Sequence, residues 1–184
     1  MLNKQVKTHA VLNSANIEIP VLRSLINLDV KDKVEINEVS VGSDEEYRVE
    51  RTMMVNPDLC FFTNIGPNHM DMHKTIENIM IAKSSVVEGL RDGGICIVNS
   101  DIEHYEMLLK EIYKRKPNTK VISYGLDKKD SARLISKRFD NKRFGWRVKA
   151  DIEGLELNYF VPMLQEHSAL SSIGILLVIK HMAF

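Results

Sequence analysis

The sequence predicts an α/β fold: a parallel sheet with flanking helices, followed by a small antiparallel sheet. Three observations predict it, namely apolar runs of strand length, helical patterns between the later runs, and a change of pattern after Gly125. Alternating strands and helices favour parallel strands joined by crossover helices. We expect residues 1–184 to form one domain, with a parallel-sheet part at about 1–126, an antiparallel part at about 130–163 and a final helix at about 166–182.

Four apolar runs are predicted to be buried strands of the parallel sheet. Each is bounded by polar or turn-forming residues and is rich in Val, Ile, Phe or Cys, which favours a strand over a loop. The runs are "VEINEV" (34–39), "LCFFTN" (59–64), "GICIVN" (94–99) and "KVISYG" (120–125).

Two helical patterns separate the later runs. "MHKTIENIMIAKSSVVEGLRDGG" repeats apolar residues at helical spacing and stops at a glycine pair. "DIEHYEMLLKEIYKRKPN" is predicted to open with Asp101 as its cap and to stop before Pro117. A strand–helix–strand–helix–strand order follows from these two segments.

After Gly125 the pattern changes to short strands. "SARLIS", "FGWRVKAD" and "LELNYFVP" are predicted strands, the last two joined across "IEG" as a hairpin, and a helix is expected from about Glu166. The charged stretch "LDKKDSARLISKRFDNKR" is interpreted as a solvated surface.

Composition excludes some classes of partner. Lys plus Arg is 25 and Asp plus Glu is 25, so net charge offers no argument for a nucleic acid or an anionic membrane. Cys60 and Cys96 lie in apolar runs, which indicates buried reduced thiols rather than disulfides or a zinc site. With buried reduced thiols, no targeting pattern at the start and no apolar run long enough to cross a bilayer, we expect a cytoplasmic protein.

Polar side chains follow the predicted parallel strands where each strand ends. Ligands of open α/β folds bind beyond the carboxyl ends of the strands. Glu38 lies near the end of the first run, Asn64 and His69 at and after the end of the second, and Asn99 and Asp101 at and after the end of the third. We therefore expect these groups to converge on one edge of the sheet.

Simpler interpretations exist for two of these positions. Glu38 could be a strand-end carboxylate in water. His69 and His73 are four apart and could share a helical face, but without a second carboxylate motif they are weak support for zinc, and one of them is expected to be structural.

Lys83 is the sharper anomaly. Ile79, Met80, Val86 and Val87 lie three or four residues from it, so Lys83 falls on the helical stripe that should face the sheet. One interpretation is that its stem is buried while the ammonium reaches water. The other is a desolvated amine with a lowered pKa beside a ligand or metal, open to chemical modification.

The printed sequence holds no phosphate-binding glycine loop before its first predicted strand. Its first glycine is Gly42, so neither G-x-x-x-x-G-K-[ST] nor G-x-G-x-x-G occurs before that strand.

Taken together, these segments resemble the central, ATP-binding domain of the Mur ligase family, which adds amino acids or dipeptides to UDP-N-acetylmuramic acid in peptidoglycan synthesis. The resemblance lies in "NSANIEIPVLRSLINL", in "NEVSVGSDEEYRVER", and above all in the block from "PDLCFFTNIGPNHMDMH" through the Ala-Lys pair to "VNSD". The 14 positions from His69 to Lys83 match the separation expected in that family.

The resemblance implies roles for eight residues. Glu38 and His69 would be magnesium ligands, and Lys83 would carry an N-carbamate, which turns a cation into an anion that attracts Mg²⁺. Ser40 and Arg48 would contact the nucleotide-sugar substrate. The implied nucleotide-binding residues are Asn99, Asp101 and His167.

The implied reaction is an acid–amine ligation that consumes ATP through an acyl phosphate. The family's final motif departs here, since His167 in "LQEHSALSS" is followed by Ser168 where asparagine is usual. With the phosphate loop and a C-terminal domain missing, we expect the middle part of a ligase, inactive alone and dependent on further ligase segments, with a capsule or other cell-surface precursor as a possible acceptor.

Two other hypotheses stay open. The chain could be a non-catalytic module that keeps the ligase-derived sheet to bind a partner or a UDP-sugar, which the missing phosphate loop favours. It could also be an unrelated metabolic α/β domain, which would make the 14-residue spacing a coincidence. The sequence specifies neither the amino acid, the acceptor nor the oligomeric state.

Overall fold

A computed structural model describes residues 6–10, 25–39, 45–66 and 73–182 of the chain. The described strands are β1 (Thr8–Ala10), β2 (Val34–Ile36), β3 (Leu59–Phe62), β4 (Ile95–Asn99), β5 (Lys120–Gly125), β6 (Ala132–Asp140), β7 (Gly145–Ile152) and β8 (Leu155–Val161). The described helices are α1 (Glu45–Val55), α2 (Ile76–Ser84), a 3₁₀ helix (Ser85–Gly89), α3 (Tyr105–Arg115) and α4 (His167–His181).

Six of the described strands form one mixed sheet in chain order from β3 to β8. The strands β3 to β6 are parallel neighbours, and β6, β7 and β8 pair antiparallel. The predicted fold class is confirmed. The antiparallel strands extend the parallel sheet through a short β5–β6 pairing, in which Tyr124 lies opposite Ala132 and Gly125 opposite Arg133.

The first predicted run lies outside this sheet in the described residues. β2 pairs in parallel with β1, a strand that the sequence reasoning did not identify, with Val34 opposite Thr8. The run 34–39 was predicted as a strand of the parallel-sheet part, and within the described residues it is a short strand of a separate parallel pair. Apolar strand runs resemble one another, and their composition does not say which strand is their neighbour.

The predicted helices are present with revised boundaries. The helix that carries Lys83 passes into a 3₁₀ helix at Ser85 and ends before the glycine pair. The predicted Asp101 cap was wrong, because α3 begins at Tyr105 behind His104, which has φ 64° and makes no side-chain cap. Residues 100–104 instead form a turn that delays the helix. The α3 stop before Pro117 and the start of α4 at His167 agree with the prediction.

Two apolar layers pack on opposite faces of the sheet. Alternate residues of β4 divide between them, Cys96 and Val98 facing α2 and α3 while Ile97 faces α4. Cys60 and Cys96 are opposite each other in the β3–β4 ladder, and both are buried and free. The Cys60 thiol and burial raise the pKa of the Cys96 thiol, so both act as core residues.

The antiparallel part consists of two hairpins. The predicted β7–β8 hairpin turns at Glu153 and Gly154, which both have positive φ, as a tight two-residue turn requires. β6 was predicted only as "SARLIS" but continues to Asp140. The charged stretch from 126 to 143 is therefore not simply a solvated surface, because most of one strand lies within it. No helix in the described ranges is long and apolar enough to cross a bilayer.

Candidate active site at the carboxyl edge of the parallel sheet

Lys83 lies one residue before the end of α2, on the helix that packs over β3 and β4. The helix begins where the Thr75 side chain accepts a hydrogen bond from the backbone N–H of Asn78. On its inner side, Ile79 and Met80 are fully buried. The Lys83 Nζ donates to the backbone oxygen of Asn64, 3.2 Å away, just beyond the end of β3. The helix therefore aims the amine at the carboxyl edge of the sheet.

The surroundings of Lys83 make its uncharged form more accessible than in an exposed lysine. Burial lowers the pKa of this amine, and the nearby carboxylate of Glu38 raises it only in part. The opposing effect of Glu38 shows that the two side chains lie close enough to interact. The structure thus brings together two residues, from β2's end and from α2, that are 45 positions apart in the sequence.

Asn99 joins the ends of two strands at this edge. Its Nδ2 donates to the backbone oxygen of Thr63 at 2.9 Å, and its Oδ1 accepts from the backbone N–H of Asp101 at 3.0 Å. Both ends of this buried amide are thereby occupied by the protein. Asn99 holds the β3 and β4 ends in register and orients the turn that carries Asp101.

Asp101 belongs to a carboxylate group beside Gly125. Burial raises the pKa of the Asp101 carboxyl, and the nearby carboxylates of Asp130 and Asp127 add to the rise. The Oγ of Ser100 donates to Asp130 at 2.9 Å. A Cβ at Gly125 would lie 3.0 Å or less from Ser100 Oγ, Asp130 Oδ2 and Asp101 Oδ2. Only glycine therefore lets these three oxygens converge. Ser100 and Asp130 were missed by sequence reasoning, although "NSD" placed one of them beside the predicted site.

Arg48 lies on α1, against the 3₁₀ helix that follows Lys83. It is 4% exposed, and its Nε donates to the Oγ of Ser85 at 3.4 Å. The structure therefore places Arg48 beneath the carboxyl-terminal end of the Lys83 helix. Its substrate-binding role stays a prediction.

Three predicted residues remain, and the structure describes one of them. His167 is the first residue of α4 and is exposed. Ser40 and His69 lie outside the described residues. In the part of the chain that is described, no three His, Cys, Asp or Glu side chains are grouped so that they could hold a metal ion.

Arg115, which sequence reasoning missed, clamps the end of the Lys83 helix. From α3 its guanidinium donates to the Oγ of Ser84 at 3.1 Å, to the backbone oxygen of Ile81, and to the carboxylate of Glu88. These contacts lie on both sides of Lys83 in the sequence. The only sequence signal was a basic last turn, which also suits an ordinary helix end.

A comparison with protein families agrees with this geometry. The family model described as "Mur ligase middle domain" matches residues 1–174. This chain belongs to the Mur ligase middle domain family. The match includes α2 with Lys83, the end of β2 with Glu38, and the first half of α4 with His167.

Curated relatives of the chain are Mur ligases. A UDP-N-acetylmuramoyl-tripeptide–D-alanyl-D-alanine ligase of Bacillus subtilis is 24% identical over 176 residues, which cover 95% of this chain and 35% of the relative. A UDP-N-acetylmuramoyl-L-alanyl-D-glutamate–2,6-diaminopimelate ligase of Fusobacterium nucleatum is 31% identical over 160 residues, which cover 86% of this chain and 31% of the relative. The chain thus spans about a third of the length of these relatives.

Solved structures share the fold of the chain. MurF from Acinetobacter baumannii superposes with a TM-score of 0.84 at 14% identity, covering 97% of this chain and 38% of that one. MurF ligase from Thermotoga maritima, solved in complex with ADP, gives a TM-score of 0.81 at 14% identity and covers 97% of this chain and 40% of that one. At such identity the likeness establishes the fold.

Proposed function

We propose that this chain is the middle part of an ATP-dependent ligase. The ligase would join a carboxylate of a UDP-sugar or other cell-envelope precursor to an amino acid. The observation that carries the proposal is the half-buried Lys83 amine of lowered pKa beside the Glu38 carboxylate. Membership of the Mur ligase family and the names of the relatives support the reaction class.

The surroundings of Lys83 suit an N-carbamate. A carbamate forms when the lone pair of an uncharged Nζ bonds to the carbon of CO₂ and an N–H proton leaves to solvent. Because burial lowers the pKa of Lys83, more of this amine is uncharged at neutral pH than of an exposed lysine. The hydrogen bond from Lys83 Nζ to the backbone oxygen of Asn64, 3.2 Å long, holds the nitrogen in place while the carbamate forms.

The same residues fit a magnesium ion and the phosphates of ATP. Glu38 and a carbamate on Lys83 would supply two hard oxygen ligands, and His69 is proposed as a third ligand. When bound, magnesium would offset the negative charge that develops during phosphoryl transfer. The protein's part is to hold Lys83 on α2 and Glu38 just beyond the end of β2.

Further residues are proposed to orient the reactants. Asn99 and Asp101 fix the strand ends where the nucleotide is proposed to bind, and His167 at the start of α4 is proposed to contact it. Ser40 and Arg48 are proposed to contact the nucleotide sugar. In the proposed reaction an oxygen of the substrate carboxylate bonds to the γ-phosphorus of ATP and ADP leaves, which gives an acyl phosphate. The amine of the amino acid then bonds to the acyl carbon, and phosphate and a proton leave.

A carbamate experiment tests the part played by Lys83. We expect the chain in ¹³C-labelled bicarbonate to show a carbamate carbon resonance that disappears in Lys83→Met and persists in Lys110→Met, a change of an exposed lysine on α3. Because the amine must lose its proton, the signal should weaken as the pH falls below the lowered pKa of Lys83. A resonance unaffected by Lys83→Met would contradict the assignment.

The alternative is a non-catalytic module derived from a ligase. Calorimetric titration with ATP and magnesium distinguishes the ligase hypothesis from the module hypothesis. It is run on this chain and on a reconstituted ligase that supplies a phosphate loop. We expect saturable binding and turnover only in the ligase. A reconstituted ligase that binds no ATP would favour the non-catalytic module. Tight ATP binding by this chain alone would contradict both hypotheses.

A further inference from the structure

The β6–β7 hairpin carries a pocket that the proposed ligase activity does not use. β6 pairs with β5 only at its first residues, Ala132 and Arg133, and then continues to Asp140. At about 3.3 Å per residue the hairpin extends roughly 20 Å past the end of β5. A pocket of about 390 Å³ lies at its far end.

Four cationic side chains and one carboxylate line this pocket. The cations are Arg138, Lys142, Arg143 and Arg147, and the carboxylate is Asp140, so the lining carries a formal charge of four minus one, or +3. The whole chain has a formal net charge of zero. The pocket lining is therefore strongly positive within a chain that is neutral overall.

Strand pairing places like charges against each other here. Arg138 and Arg147 are directly opposite in the β6–β7 ladder, which is unfavourable for side chains of the same sign. Asp140 offsets only Arg147, whose Nε and Nη2 donate to Asp140 Oδ2 at 2.9 and 2.6 Å. The charge of Arg138 is left without an acidic partner among the described residues.

The carboxylate of Asp140 has no capacity for another cation. Its Oδ1 accepts the backbone N–H groups of Lys142 and Arg143 at 3.0 and 3.2 Å, and its Oδ2 is taken by Arg147. These bonds fix the turn and lower the pKa of Asp140, with the Arg147 contact as the largest cause. The acid thus organises the pocket without neutralising the other cations.

A stacking contact holds a second cation in position. The guanidinium of Arg143 lies 3.8 Å from the ring centre of Phe160 on β8. Gly145 makes this possible, because a Cβ there would come within 2.5 Å of the Phe160 ring and 2.3 Å of the Val161 backbone oxygen. Arg143 is therefore oriented before any ligand arrives, which reduces the entropy cost of binding.

Two lysines elsewhere on these strands have acidic partners. Lys149 bonds Glu156 at 2.9 Å, and Lys137 bonds Glu166 at 2.7 Å. Within the described ranges, Arg138, Lys142 and Arg143 have no such acidic partner. Three exposed cations beside a pocket match a ligand with several negative oxygens, and guanidinium forks suit phosphate oxygens in particular.

We propose that the hairpin pocket binds a phosphate-bearing anion through Arg138, Lys142 and Arg143. The volume of about 390 Å³ accommodates a diphosphate group, whereas a single carboxylate would leave most of it open. The pocket shares no residue with the candidate active site, and the proposal does not rest on the ligase function. Two sources of this chemistry are a free diphosphate and the headgroup of an anionic lipid.

Calorimetry with sodium pyrophosphate tests the first source on the full chain in low-salt, magnesium-free buffer. We expect saturable binding that weakens at least fivefold in Arg138→Gln and stays within twofold in Lys110→Gln, a matched loss of one exposed charge on α3. Amide shifts in 138–147 should accompany binding in the folded variants.

Vesicles test the second source. Sedimentation with vesicles of phosphatidylglycerol and phosphatidylcholine, against phosphatidylcholine alone, should show binding that Arg138→Gln reduces and pyrophosphate competes for if lipid headgroups are the ligand. Arg138-dependent binding of either probe supports the pocket. The proposal is overturned if neither probe binds, or if Lys110→Gln weakens binding as much as Arg138→Gln, because the effect would then be one of overall charge.

Discussion

Cationic side chains occupy two regions of this protein with opposite surroundings. At the parallel-sheet edge a single lysine, Lys83, is half-buried with a backbone oxygen as partner, and its pKa is lowered. In the β6–β7 hairpin, exposed cations such as Arg138 and Lys142 crowd together and face water. Burial makes one amine chemically unusual, whereas crowding at the surface makes several ordinary cations attractive to an anion.

The two regions are also supported differently. The Lys83 edge rests on close packing, with the 3₁₀ helix pressed against α1 and Arg115 clamping the helix end. The hairpin rests on strand ladders and on the turn bonds of Asp140. Changes that disturb the packing at the edge should therefore cost more stability than changes at the hairpin.

The largest effect is expected for Gly89→Ala. A Cβ at this position would lie 2.2 Å from the backbone carbon of Thr52 on α1, so one of the two helices must move. We expect a loss of about 3 kcal/mol in the free energy of unfolding, measured by urea denaturation. The control is Gly93→Ala, which meets nothing within 4 Å but has φ 77° and should cost about 1 kcal/mol. Equal losses in both variants would contradict the packing argument.

Arg115→Ala should follow in size. The change leaves the carboxylate of Glu88 without its ion-pair partner and removes the donor to the hydroxyl oxygen of Ser84 at the end of the Lys83 helix. We expect a loss of about 2 kcal/mol by the same denaturation experiment. Arg91→Ala, which breaks the exposed ion pair with Asp58, is the matched control and should cost about 0.5 kcal/mol or less.

Lys83→Met should have a smaller effect of the opposite sign. Without bicarbonate, removing the half-buried amine should raise the free energy of unfolding by about 0.5 kcal/mol at neutral pH. The folded pKa of Lys83 lies below 10.5, so the unfolded chain binds more protons between the two values, and wild-type stability should rise with pH there. Denaturation at a series of pH values should show that rise flattened in the variant; an unchanged slope would argue against a lowered pKa.

The smallest effect on stability is expected for Arg147→Gln in the hairpin. Its ion pair with Asp140 is the main cause of the lowered pKa of that carboxyl. NMR titration should show the Asp140 pKa rising towards its ordinary 3.8, while the denaturation midpoint at neutral pH changes little. In the wild type this contribution is present above 3.8 and is lost as the pH falls through the lower folded pKa. A large loss of stability would mean that the hairpin depends on this pair.

Local pattern predicted the core elements well and the partners of the strands poorly. The runs at β3, β4 and β5, the final helix and the β7–β8 hairpin were predicted because alternation, helical spacing and the Glu153–Gly154 turn are local signals. The β1–β2 pairing and the extension of β6 to Asp140 were missed. A three-residue strand such as Thr8–Ala10 is too short to show the alternation that identifies a strand. The charged residues of β6 resemble those of a surface loop.

The candidate site likewise has one part that local pattern predicted and another that it did not. The inward position of Lys83 followed from helical spacing, and its resemblance to the family's lysine motif gave a chemical role to test. Its interaction with Glu38, the Asn99 bridge and the Arg115 clamp depend on residues from separate elements. No local pattern reports such contacts, because they exist only after the strands and helices have packed.

By itself, the sequence determined the α/β class, the order of the main elements, the family, and Lys83 as the residue to explain. These depend on periodicity, turn-forming residues and motif spacing, which are properties of neighbouring residues. The tertiary structure alone decided that Lys83 has a lowered pKa and that Arg138 and Arg147 face each other across a hairpin. Burial and strand register set those properties, and both arise from contacts between segments far apart in the chain.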